Sequence, residues 1–215
     1  MAAREELQLN RVPVRDRAGR AALLRFAAAM AVGDRGGALR ALRRARAAGA
    51  RRVAAEEVAL MLMLHAGYPA ALEAMRLLTE CWPGRARRSR ESGPARWRVR
   101  GERLCRRIYG PVFGRLIAHV RAMHPDLAAW MIEQGYGRVL SRPGLADRDR
   151  ELVAIAVLAT GGWERQLVSH LLGAARVGAH PSEIRTAFVI GLRRSRSAAA
   201  ARRAWRRIDR PSRPP

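Results

Sequence analysis

Apolar residues recur at helical spacing through residues 21–32, 38–48 and 55–64, and the runs break at Gly33, Gly36-Gly37 and Gly49. This pattern predicts three helices joined by short glycine turns. In His65-Ala66-Gly67-Tyr68-Pro69, Gly67 suits a helix end and Pro69 the first turn of a following helix that runs to about residue 78. From residue 82 to 103 the apolar periodicity fades, and Pro83, Gly84, Gly93, Pro94 and Gly101 alternate with Arg, which reads as a linker. A second block predicts helices over 109–123, 125–133, 147–159, 163–177 and 181–192. Pro143-Gly144 marks a turn before Asp147, and His180-Pro181-Ser182-Glu183 reads as a helix start with Pro at N1 and Glu at N3. Beyond residue 192 Arg and Ala dominate, a composition expected to be helical only when docked.

Sliding the chain on itself by 129 positions aligns residues 22–50 with 151–179 without a gap. Leu23 falls on Leu152, Ala27 on Ala156, Gly33 on Gly162, Leu42 on Leu171 and Gly49-Ala50 on Gly178-Ala179. Matched glycine breaks at matched helical positions imply one helix hairpin used twice.

Composition sharpens the class. Hydrophobic residues make up 49% of the 215, but only three Phe and three Tyr are among them, so the core is aliphatic and rich in helix formers. An all-α fold follows. The net charge is +24, and all 42 basic residues are Arg. A GC-rich coding bias accounts for Arg in place of Lys but not for only 18 acidic residues, so an anionic partner stays open. Arg85 to Arg107 with Trp82 and Trp97, and Arg193 to Arg213 with Trp205, could grip polyanions without sequence preference. No reading motif accompanies them, and charge runs are usually solvated surface. Cys81 and Cys105 offer neither a disulfide framework nor metal spacing, so no metal site is expected and a reducing cytoplasm fits. The longest apolar run, residues 152–159, falls far short of the roughly 20 residues of a membrane span. The first residues lack an apolar signal core.

The candidate chemistry lies in the second block. Glu151 shares a helix face with Ile155, Leu158 and Ala159, and His170 shares one with Leu167, Ala174 and Val177. A hairpin around Gly161-Gly162 would bring the two opposite each other. A desolvated carboxyl facing an imidazole is a plausible proton-transfer pair, and also a common structural hydrogen bond. The internal alignment favours chemistry, because the first-block counterparts of Glu151 and His170 are Ala22 and Ala41. Arg142 and Trp163 are candidate substrate contacts, Arg142 for an anion, with a solvated loop arginine as the alternative.

Tyr136 through Leu145, Arg150-Glu151-Leu152-Val153, and Gln166-Leu167-Val168-Ser169-His170 through Gly178-Ala179 and Glu183-Ile184 resemble the signature of the carboxymuconolactone decarboxylase family. The resemblance covers about residues 109–191 well. The first block is similar to the family's later portion, where Ala66-Gly67-Tyr68-Pro69 resembles its aromatic-glycine-x-proline junction. What this implies is an AhpD-like helical bundle built from two such repeats. The division would be a degenerate repeat over 1–81, an Arg-rich linker over 82–108, a C-terminal domain over 109–192 and a tail over 193–215. The resemblance further implies a cytoplasmic homo-oligomer, trimeric or hexameric, of aromatic catabolism. Its lyase chemistry on a small carboxylated lactone would need no cofactor, with His170 as proton donor or shuttle and Glu151 as its orienting partner or a second acid–base group. The family's thiol peroxidases carry C-x-x-C where this chain has Trp163 and Gln166, so disulfide-based peroxide reduction is not expected. The C-terminal block lacks the Ala-Gly-Tyr-Pro junction and runs Gly191-Leu192-Arg193-Arg194 instead. A pocket wall from that junction would have to come from the first block or another subunit. A noncatalytic, polyanion-binding or assembly subunit is the competing reading.

Overall fold

The glycine-punctuated runs of the first block become four helices: α1 (Arg17–Ala31), α2 (Arg35–Ala47), α3 (Arg52–His65) and α4 (Tyr68–Cys81). They belong to a computed structural model that describes residues 13, 14, 16–86 and 93–209. Asp16 caps α1 by accepting from the Gly19 amide at 2.6 Å, and Asp34 caps α2 by accepting from the Gly37 amide at 2.7 Å. The second block continues with α5 (Gly93–Tyr109), a 3-10 turn (Gly110–Val112), α6 (Phe113–Met123), α7 (Pro125–Trp130) and a π-helical segment (Met131–Leu140). It ends with α8 (Asp147–Gly161), α9 (Glu164–Arg176), α10 (Pro181–Leu192) and α11 (Ala198–Ile208). The fold is all-α, and the described residues contain no strand.

The centre of the bundle is α8, buried continuously from Asp149 to Thr160. A helix apolar on every side must be enclosed, and α8 is: α1, α3, α9, α10 and α11 all pack on it. Its nearest analogue is α1, which packs on α2, α3, α4, α8 and α10. The two hairpins turn alike. Asp34 donates its amide to Ala29 at 2.9 Å and Trp163 to Leu158 at 3.2 Å, each pair related to the other by the 129-residue offset. Ala50 to Ala45 at 3.0 Å and Ala179 to Ala174 at 2.9 Å close the second helices in the same way. Gly33 and Gly162, with φ of 75° and 72°, occupy the left-handed positions that let both hairpins reverse. Where α1 meets α8, Arg20 Nε donates to Asp149 Oδ1 at 2.7 Å, so residues at aligned positions pair with one another.

Two stretches depart from the reading of the sequence, and the tail takes the docked helical form that its composition allows. The second half of the expected 82–108 linker is helix α5, which packs on the π-helical segment and on α9. Its apolar stripe of Trp97, Gly101, Leu104, Cys105 and Ile108 follows helical spacing but is diluted by arginines. Gly101 reads as a breaker yet serves close approach: a Cβ there would lie 2.0 Å from the Ile132 carbonyl oxygen. Beyond Trp130 the chain widens into the π-helical segment rather than ending a helix near residue 133. The tail docks as α11 on α9, burying Ala200, Ala201 and Ala204 and stacking Trp205 on Phe188 at 4.6 Å between ring centroids.

Candidate active site

Glu151 lies in the second turn of α8 and His170 in the middle of α9, and the hairpin through Gly162 brings them together. His170 Nδ1 is 2.9 Å from Glu151 Oε2, and the side chains are only 9% and 2% exposed. The space for this pair is made by Gly173, one turn past His170. A Cβ at Gly173 would stand 2.8 Å from Glu151 Oε2 and 2.6 Å from Ile108 Cγ2. With Nδ1 engaged by a carboxylate, the imidazole is oriented and Nε2 is the nitrogen left for a ligand.

His170 lines a cavity of about 890 Å³, a size that suits a small organic molecule. One side comes from α8 and α9 through Val157, Leu158, Gly161, Trp163, Gln166 and His170, and another from the π-helical segment through Met131, Gln134, Tyr136 and Leu140. The third side is the first block's own junction, Met63 to Gly67. The wall missing from the C-terminal block is thus supplied within the same chain. Among the described residues most of the lining is apolar, no Asp or Glu is part of it, and Arg196 is its one arginine. Arg196 is held at the backbone, donating its amide to the Thr160 carbonyl at 2.9 Å.

The polar groups around the pair are protonated. Tyr136 donates its hydroxyl to Tyr109 at 3.0 Å, burial drives the Tyr136 phenol well up, and burial pushes Tyr109 up to about 12. Burial, with the Glu151 charge second, pushes the Cys105 thiol up to about 12, which leaves it unreactive near neutrality. The Cys81 thiol is also raised by burial, and neither cysteine lines the cavity.

The other two sequence candidates part company. Trp163 sits in the wall, 59% exposed, with its indole laid against Gly161. Arg142 does not reach the cavity lining. Its Nε lies 3.1 Å from Glu57 Oε2, and the same oxygen accepts from Arg150 at 2.9 Å. Arg142 thus faces a carboxylate of the first block, while Arg196 stands in the wall. Sequence reasoning also passed over His65, which closes α3 and lies edge-to-face with His170 at 5.6 Å between ring centroids. Nothing local marks it, because its meeting with His170 joins residues 105 positions apart.

Among the described residues no three His, Cys, Asp or Glu side chains gather as a metal site would require, and no helix is long and apolar enough to cross a membrane. The molecule is an all-helical bundle with a buried carboxylate–imidazole pair opening onto a mostly apolar cavity. Residues 125–207 match the carboxymuconolactone decarboxylase family, to which this part of the chain is similar. The matched stretch holds the π-helical segment, the Glu151–His170 hairpin and most of α11. A comparison with curated proteins gives no match.

Proposed function

We propose that the cavity is the active site of a cofactor-free acid–base lyase that decarboxylates a small carboxylated lactone or a related metabolite. The observation that carries this reading is the 2.9 Å contact between His170 Nδ1 and Glu151 Oε2 beside the cavity. Glu151 fixes the orientation of the imidazole through Nδ1, and Nε2 is the atom that delivers the proton. As the carbon–carbon bond to the carboxylate breaks, its electron pair moves through the ring onto the lactone carbonyl oxygen and carbon dioxide departs. The pair returns to carbon as that carbon takes the Nε2 proton, and solvent reprotonates His170. Arg196 suits a remaining carboxylate of the substrate, and Trp163 and the aliphatic wall suit its flat ring.

The internal 129-residue correspondence supports reading the first block as a repeat that lost the polar pair and kept a wall of the cavity. Exposed Met123, Leu127 and Trp130 on the α6–α7 arm support a homo-oligomer, trimeric or hexameric. Sedimentation velocity that finds only monomer would remove that part. The competing reading, a noncatalytic or polyanion-binding subunit, rests on the +24 charge.

Turnover of 4-carboxymuconolactone, followed by ultraviolet absorbance in salt high enough to suppress polyanion carry-over, tests the lyase reading. Wild type is expected to turn over and His170→Ala to lose about 10²- to 10⁴-fold. Silence in both proteins would sink this substrate and favour the noncatalytic subunit.

A further inference from the structure

Beside the proton-transfer pair stands a second imidazole that this mechanism leaves without a task. His65 comes from the first block, lines the same cavity as His170, and its ring plane is turned 88° from that of His170. Its Nε2 is sealed from solvent and has no hydrogen-bond partner among the described residues. Buried polar atoms are nearly always partnered, and one left unpaired calls for a ligand, an ordered water or a functional reason. Here the unpaired nitrogen belongs to a ring that touches the reacting imidazole and borders the space a substrate would fill.

Charge distinguishes the two rings. Burial first, and His170 second, pull the His65 imidazole down to about 3, so it is neutral near pH 7 and its Nε2–H tautomer is a hydrogen-bond donor. A neutral donor suits an oxygen that gains negative charge during a reaction. It strengthens as the charge builds, and it does not compete with His170 for the proton. The apolar wall around it keeps such a bond strong.

We propose that His65 is a second substrate-contacting residue of this site, whose ring turns as a substrate enters so that its Nε2–H, sealed from solvent here, donates to the lactone carbonyl oxygen as that oxygen takes on negative charge. The assignment rests on the lyase reading above and adds a residue that lies outside the family match, which begins at residue 125. His65 is unchanged by the cycle, because the electron pair passes from the breaking carbon–carbon bond to the oxygen and back to carbon while His170 supplies the proton. The first block then contributes chemistry as well as a wall.

Tetronate, a planar lactone enolate with its charge on oxygen, is the probe. Its affinity is measured by calorimetry for wild type, His65→Phe and His65→Gln, and the imidazole nitrogens of the wild type are followed by ¹⁵N NMR during the titration. The expected result is a shift of the His65 Nε2 resonance on binding and about tenfold weaker binding in His65→Phe, the loss of one hydrogen bond to a charged group. His65→Gln, which retains a side-chain donor, should recover part of that loss. Circular dichroism establishes that the variants are folded. Equal affinity in folded His65→Phe, an unmoved His65 resonance, or no binding to wild type would each overturn the assignment. Failure of the lyase reading looks different: 4-carboxymuconolactone is not turned over, while tetronate still shifts His65 and still discriminates the variants.

Discussion

The hairpins α1–α2 and α8–α9 share turn glycines, aligned hydrogen bonds and a place at the centre of the bundle, yet only the second carries a carboxylate–imidazole pair inside it. Where α8 and α9 hold Glu151 and His170, α1 and α2 hold Ala22 and Ala41, 2% and 3% exposed. At these two positions the first hairpin closes with methyl groups, so a hairpin of this shape does not require the polar pair. A buried carboxylate and imidazole in one hairpin, where the matching hairpin has neither, carry a desolvation cost that fits the chemistry proposed for them. The same contrast extends to their surroundings. Buried Gly173 clears space for Glu151, whereas its counterpart at the 129-residue offset is Arg44, exposed because nothing beneath it needs room.

Three perturbations break or sharpen this comparison. The largest effect is expected from Ala22→Glu, which puts a carboxylate into the hairpin that has no imidazole for it. About 3–5 kcal/mol of stability should be lost, the effect of an uncompensated buried charge, as read from urea denaturation. Adding Ala41→His should restore part of it if the two hairpins are as alike as their turns indicate. Full stability of the single variant would show that α1 and α2 are more loosely packed than α8 and α9. Next comes Gly173→Ala, which drives a methyl group against Glu151 and Ile108. A loss of about 1–3 kcal/mol is expected from overpacking, with lactone turnover falling together with the displaced pair. The counterpart Arg44→Ala, at an exposed helix position, should stay within about 0.5 kcal/mol of wild type.

A further effect, absent at neutral pH, is a pH dependence that the first block contributes through His65. In the folded protein this imidazole titrates at about 3 against an ordinary 6.5, so between those values the unfolded chain binds the extra proton. Stability therefore rises with pH across that window, and His65's contribution is lost as pH falls from 6.5 toward 3. In His65→Gln the melting temperature should decline less steeply over the same range. An identical acid limb in both proteins would mean that the native state accepts the proton as readily as the unfolded one.

Much of the plan was legible in the residues. Helical periodicity and glycine breaks located the two hairpins because both are local properties of the chain. The pairing of Glu151 with His170 could be anticipated because only a short turn separates their helices. Helix α5 was hidden because its stripe is thinned by arginines and includes Gly101, whose use becomes visible only against the Ile132 carbonyl of another element. The partner of Arg142 was hidden for a related reason: a loop arginine carries no sign of which carboxylate will meet it, and Glu57 lies 85 positions away.

Local pattern and spacing thus determined the helices, the turns and the facing pair, since each depends on backbone preferences and on side-chain directions within one hairpin. The folded arrangement alone decided that Met63 to Gly67 would close the cavity, that Arg196 rather than Arg142 would stand in its wall, and that His65 would meet His170. Those contacts depend on how distant helices pack, through burial and close approach summed over the whole bundle, and no single stretch of sequence encodes that sum.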